Sequence, residues 1–134
     1  MNLDLYLKDI AGFKELIEEL PEDNAAPLLK KIELHSKCLV LLGEVSAEYD
    51  RIYKRIHVQR DMDYAQAYIE AERPKKEHAE LATREIREME AEAYGRSMKY
   101  RNEFVSTRET IHALKMKMNS HFADGSIGSR YQGM

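Results

Sequence analysis

The stretch SKCLVLLGEVSAEYDRIY, residues 36–53, decides the fold of this chain. Its apolar run from Cys38 to Leu42, followed by Gly43, Glu44 and Val45, reads either as a buried strand entering a glycine turn or as one over-hydrophobic turn of a long helix. Short apolar runs do not separate the two by themselves, so the neighbouring sequence arbitrates. A strand needs others to pair with, and no second short, β-rich run bounded by turns occurs in the 134 residues. Neither G-x-x-x-x-G-K-[ST] nor G-x-G-x-x-G is present, so Gly43 has no phosphate-cradling neighbours. The helix reading follows, and it has a consequence. Cys38, Leu41 and Val45 lie on one flank and Leu39 and Leu42 on another, an apolar arc wider than one covering helix can fill.

Upstream, residues 3 to 20 read LDLYLKDIAGFKELIEEL, with Leu3, Tyr6, Leu7, Ile10, Phe13, Ile17 and Leu20 at helical spacing. An amphipathic helix is predicted, with Asn2 as N-cap, Asp4 in the positive first turn and Pro21 as the stop. After the loop PEDN, Asn24 precedes a second helix, in whose first turn Pro27 costs no intrahelical bond. From 25 to 72 the stripe Leu28, Ile32, His35, Leu39, Leu42, Tyr49, Tyr53 and Ile56 predicts a helix of about 70 Å at roughly 1.5 Å per residue. Pro74 pushes Arg73 out of helical space and ends it. The stripe Ala79, Ala82, Ile86, Met89, Ala93, Tyr100, Phe104, Ile111, Leu114 and Met118 predicts a third helix over 75–120, bent where the spacing slips near Tyr100. The glycine-rich end, 123–134, is expected to be a flexible tail on a single helical domain of residues 1–122.

Two long helices joined by a tight turn cover both stripes only by folding back antiparallel. A turn at Arg73 and Pro74 sets Ala65 near Ala82, Met62 near Ile86, Tyr49 near Met98, Leu42 near Val105 and Ile32 near Leu114. The expected architecture is all-α: a short N-terminal helix packed on a long, coiled-coil-like hairpin. The surplus flank of Cys38, Leu41 and Val45 is then covered by helix 1 or by a partner subunit, and uncovered stripes favour a homodimer or higher homo-oligomer.

Charged residues make up 34% of the chain, and Gly 6 with Pro 3 leaves few turns, which suits helices. A net charge of −3 excludes a strongly basic nucleic-acid binder by net charge alone. Its distribution is uneven: residues 1–24 carry two Lys against seven Asp or Glu. A single cysteine cannot form an internal disulfide and no leader pattern opens the sequence, so a cytoplasmic location is expected. The longest apolar run falls far short of the roughly 20 residues of a membrane helix, so no membrane partner is expected.

Positive charge gathers at mid-hairpin, where Arg51, Lys54 and Arg55, with Arg60 beyond them, meet Arg96, Lys99 and Arg101 across the register. Interleaved with Tyr49, Tyr53, Tyr94 and Tyr100, this band has the composition of a surface that holds phosphates and stacks bases. The competing reading has Glu44, Glu48, Asp50 and Glu103 neutralise it through local ion pairs. Helix 1 offers a second surface, on which Asp9, Glu15, Glu18 and Glu19 imitate a row of phosphates for a protein partner. A metal is a third candidate: His35-x-x-Cys38 and Glu109-x-x-His112 place ligand-type side chains on facing helices. Di-iron bundles, however, use two Glu-x-x-His motifs with further glutamates, so no cofactor is expected and the four residues equally read as a semi-polar core layer. Glu85, Glu88, Glu90 and Glu92 alternate with Arg84 and Arg87 as a solvated face, and His57, His78 and His121 stand isolated. Without loops to bury a catalytic group, the chain is not expected to be an enzyme.

The hairpin carries A-Y-x-E-A-E at Ala67 to Glu72, a polar turn, Ala82-Thr83, and an apolar run with Asn and Ser at Ala113 to Ser120. In this it resembles the small helical-hairpin accessory proteins of bacteriophage replication and recombination modules, over about half of the chain. The resemblance implies a non-enzymatic accessory protein, in a bacterial host cell, acting through an unidentified protein partner, DNA, or both. It carries over no site residues. An inhibitor or adaptor that engages a host protein through acidic helix 1 is the alternative, and a metal-binding helical protein the third reading.

Overall fold

Asn2 begins the first helix by accepting the Leu5 amide on its Oδ1 at 3.1 Å. In a computed structural model, which describes residues 1–123, α1 spans Leu3–Glu18, α2 Ala25–Glu70, α3 Lys75–Ala82 and α4 Arg84–Met118. A π-helical turn over Asn119–Ala123 follows. The fold is all-α, as expected, and the opening stretch lies inside α2. The expected tail lies outside the described residues beyond Ala123.

The helix expected as one over 75–120 is two, separated at Thr83. The break has a side-chain cause. Thr83 is buried, and its hydroxyl donates to the Ala79 carbonyl at 2.8 Å, the back-bonding that bends helices. The Glu80 carbonyl accepts from the Arg87 guanidinium, so the bend leaves that acceptor satisfied.

The chain groups into two compact units, and α2 and α4 each supply a segment to both. One unit holds Met1–Val45 with the chain from Asn102 on. There α2 and α4 run antiparallel: Leu28 and Ile32 cluster with Ile111 and Leu114, and Leu39, Met118 and Phe122 pack against them. Gly43 admits the Phe104 ring, which sits 3.3 Å from where a Cβ would stand. Ile10 and Ile17 are the buried positions of α1, and the Cys38 thiol points at the Ile10 carbonyl, 4.0 Å away. Cys38 and Val45 are fully covered. Helix 1 therefore covers the second flank at Cys38, where of the two expected occupants the chain supplies its own, while Leu41 on that flank is half-buried.

The other unit, Ser46–Arg101, has a different interior. Tyr49 stacks on Tyr100 with ring centroids 5.0 Å apart, and Tyr53 meets Tyr94 edge-on at 5.2 Å. Asp50 faces Ser97 and His57 faces Glu90, which keeps the expected register. The fully buried residues of this unit are small: Ala79, Thr83, Ala93 and Ser97. Met62 and Met89, expected on the inner stripe, are exposed instead, as are Ala65 and Ala82, expected to meet near the turn. Apolar residues lie on both sides of these helices, and identity alone does not say which side is covered.

Candidate functional site

The basic band is built within Ser46–Arg101 on α2 and α4. Successive turns of α2 present Arg51, Lys54 and Arg55, which with Val58 and Gln59 line one surface depression. Arg51 pairs with Glu48, donating from Nε at 3.0 Å. Asp50 takes two cations, Lys54 at 2.9 Å and Arg101 at 3.4 Å, and accepts from the Ser97 hydroxyl as well. Arg51 holds the Glu48 carboxyl below the ordinary carboxylate range, with Arg55 contributing at longer reach. Lys54, ahead of Arg101 and Ser97, does the same for Asp50. Both carboxylates are thus firmly ionised, and the expected neutralisation is real but partial. No carboxylate among the described residues forms an ion pair with Arg55, Arg96 or Lys99. Lys99 instead lies over the Tyr100 ring, 5.3 Å from its centroid.

Of the four tyrosines expected to stack bases, Tyr49 and Tyr100 stack on each other, while Tyr94 meets Tyr53 edge-on and stays exposed. These contacts lie in the seam between α2 and α4, leaving the cations and the Tyr94 ring as the outward chemistry of the band.

Further along the seam, His57 is neither isolated nor free. Its Nδ1 bonds Glu90, and Asp61 stands 3.6 Å from its Nε2. Arg60 reaches the same Glu90 at 3.6 Å, so this band member is turned inward. The Nδ1 of His78 lies 2.9 Å from the Glu72 carbonyl, within hydrogen-bond reach. Asp61 is the i,i+4 neighbour of His57 on α2, but Glu90 comes from the opposite helix and Glu72 from across the turn, where spacing within one helix carries no signal.

The ligand-type quartet is divided. Cys38 is buried and burial pushes its thiol pKa up, which opposes the thiolate a metal needs. His35 is partly buried, with its pKa lowered chiefly by that burial, while Glu109 and His112 are exposed beside Arg108. No group of three His, Cys, Asp or Glu side chains able to hold a metal ion occurs among the described residues. Of the other partner-binding candidates, Leu41 is half-buried, whereas Asp9, Glu15, Glu18 and Glu19 are exposed on α1 without an ion pair among the described residues. Glu22 serves the fold instead, bonding Lys31 at 2.8 Å and Lys117 at 3.1 Å and so tying the loop before α2 to the end of α4.

No protein-family model, curated protein or solved structure matches the chain. No helix among the described residues is long and apolar enough to cross a membrane.

Proposed function

We propose that the protein is a non-enzymatic accessory factor of DNA replication or recombination that works by binding, with the basic band as its contact for nucleic-acid phosphates. The observation that carries this reading is the charge imbalance of the band. Of Arg51, Lys54, Arg55, Arg96, Lys99 and Arg101, the first two and the last pair with Glu48 or Asp50, and Arg55, Arg96 and Lys99 make no ion pair among the described residues. Phosphates would supply the missing counter-charge. The hairpin's resemblance to phage accessory proteins agrees with the pathway class and with a bacterial cytoplasm. Because Tyr49, Tyr53 and Tyr100 are partly buried at the seam and Tyr94 alone of the four is exposed, binding is expected to follow the backbone with little base preference. In this reading the protein acts as a homo-oligomer. The variant carrying Arg96→Glu and Lys99→Glu should lose binding to a short mixed-sequence duplex at low salt while keeping its helical circular dichroism. A wild-type protein that fails to bind at low salt would overturn the reading, as would a variant that binds equally well.

A second reading rests on α1 and its C-cap, where Asp9, Glu15, Glu18 and Glu19 are exposed and free of ion pairs among the described residues. It makes the protein an adaptor or inhibitor that presents these carboxylates to a basic protein surface. Deleting α1 is a poor test, because α1 also covers Cys38. Replacing the four carboxylates by glutamine preserves the packed face and should abolish capture of the target; unchanged capture removes this reading.

A further inference from the structure

Away from its seam with α4, the Ser46–Arg101 unit carries a second stripe on α2 that nothing in the described chain covers. Arg55, Val58, Met62, Ala65 and Ile69 recur on α2 at alternating spacings of three and four, the a/d phase of a coiled coil, and Glu72 follows three residues on, past the helix end at Glu70. All six are exposed, with Val58 at 55%, Met62 at 59% and Ile69 at 73%. Scattered surface apolar residues are ordinary, but four in successive a/d positions on one helix form an unfilled seam. The same unit buries no large apolar side chain: Ala79, Thr83, Ala93 and Ser97 are its covered residues. Val58, Met62, Ile69, Leu81 and Met89, by contrast, are exposed.

We propose that a second copy of this chain covers the stripe, with the two α2 helices antiparallel about a two-fold axis between Met62 and Ala65. The spacing is the same read from either end, so that one axis sets Val58 against Ile69 of the second copy, Met62 against Ala65, and Arg55 against Glu72. Every position of the stripe meets a counterpart, as a self-complementary two-fold contact requires.

The ends of the stripe decide between occupants. Neither Arg55 nor Glu72 makes an ion pair among the described residues, and each is the charge the other lacks. Antiparallel pairing joins them twice, once at each end of the seam. Parallel pairing would set Arg55 against Arg55 and Glu72 against Glu72, a like-charge contact at both ends. An unrelated apolar helix would match the four central residues but would not call for a base at one end and an acid at the other. The inference goes beyond the nucleic-acid reading: it takes Arg55 out of the basic band, where it would face Glu72 of the second copy, and leaves Arg96 and Lys99, on α4, available to phosphates.

The test is sedimentation equilibrium of the full chain without DNA over a wide concentration range. A monomer–dimer equilibrium is expected. Met62→Glu with Ile69→Glu should give a monomer of unchanged helicity, since both side chains are exposed in the single chain. Arg55→Glu alone and Glu72→Arg alone should each weaken the dimer by about tenfold or more, because symmetry doubles each contact, and the two together should return it to within about threefold of wild type. A monomer at all concentrations, a dimer indifferent to Met62 and Ile69, or a charge-swapped double variant no tighter than the single ones would each overturn the proposal. Arg96→Glu with Lys99→Glu should leave the dimer intact, so loss of DNA binding and loss of self-association are read separately.

Discussion

Gly43 shows how finely single positions are set. A Cβ there would meet the Phe104 ring at 3.3 Å, whereas at Gly12 and Gly95, in α1 and α4, it would meet nothing within 4 Å. Alanine is worth about 0.5–1 kcal/mol over glycine in a helix. Gly12→Ala and Gly95→Ala should therefore raise stability in urea by that amount each, and Gly43→Ala by less, because the ring must give way. Equal gains at all three would contradict the packing at Phe104. Leu42, fully buried beside Gly43, should cost about 2–5 kcal/mol when cut to alanine. Glu22 links stability to pH. Lys31, and after it Lys117, hold its carboxyl below the ordinary range. A depressed pKa adds stability above the unfolded value of about 4.3 and loses it as pH falls through the folded one. The stability gap between wild type and Glu22→Gln should thus be widest near neutrality and close on acidification; a gap independent of pH would remove the ion pairs from the account.

Among the elements, α1 is the one whose docking has a built-in reporter. Cys38 is covered where α1 crosses it, and burial raises its thiol pKa. Ile10→Ala with Ile17→Ala removes the two buried anchors of α1, at roughly 2–5 kcal/mol each, and should make Cys38 react with a thiol reagent at least about tenfold faster. Equal reactivity would mean that α1 does not shield the thiol. Much of this arrangement is legible in the spacing of residues. The α1 stripe, the pairing of Ile32 with Leu114 and that of Tyr53 with Tyr94 follow from period and turn position, because only one fold-back covers both stripes. The bend at Thr83 is not, since a threonine hydroxyl competes with the backbone in a way that depends on its burial. Nor is the face of Met62, because a helix apolar on two sides shows the same period whichever side is filled. The outer stripe from Arg55 to Glu72 is present in the spacing but becomes visible only once the opposite face of α2 is assigned to the seam. The position of the basic band on the two helices follows from charge and register. Its partial neutralisation follows in part from the i,i+4 pair of Asp50 with Lys54, whereas the second cation on Asp50, Arg101, comes from α4 and no single helix shows it.

For the whole molecule, the distribution of buried side chains separates the two units. Leu28, Ile32, Leu42 and Val45 sit in one, while the other buries only alanine, serine and threonine. Amide exchange in dilute protein should therefore be faster across 46–101 than across the buried turns of 25–45, and residues 55–72 should gain protection as concentration rises. Protection that ignores concentration would argue against a second copy on α2. The central claim is that the protein binds phosphates through cations it leaves unpaired. Salt dependence tests it most directly: the logarithm of duplex affinity, measured against the logarithm of salt concentration, for wild type and for Arg96→Glu with Lys99→Glu. Steep linear weakening is expected for wild type, and for the variant a slope shallower by about 2 or a loss of binding altogether. Affinity that does not change with salt, or two identical slopes, would contradict it.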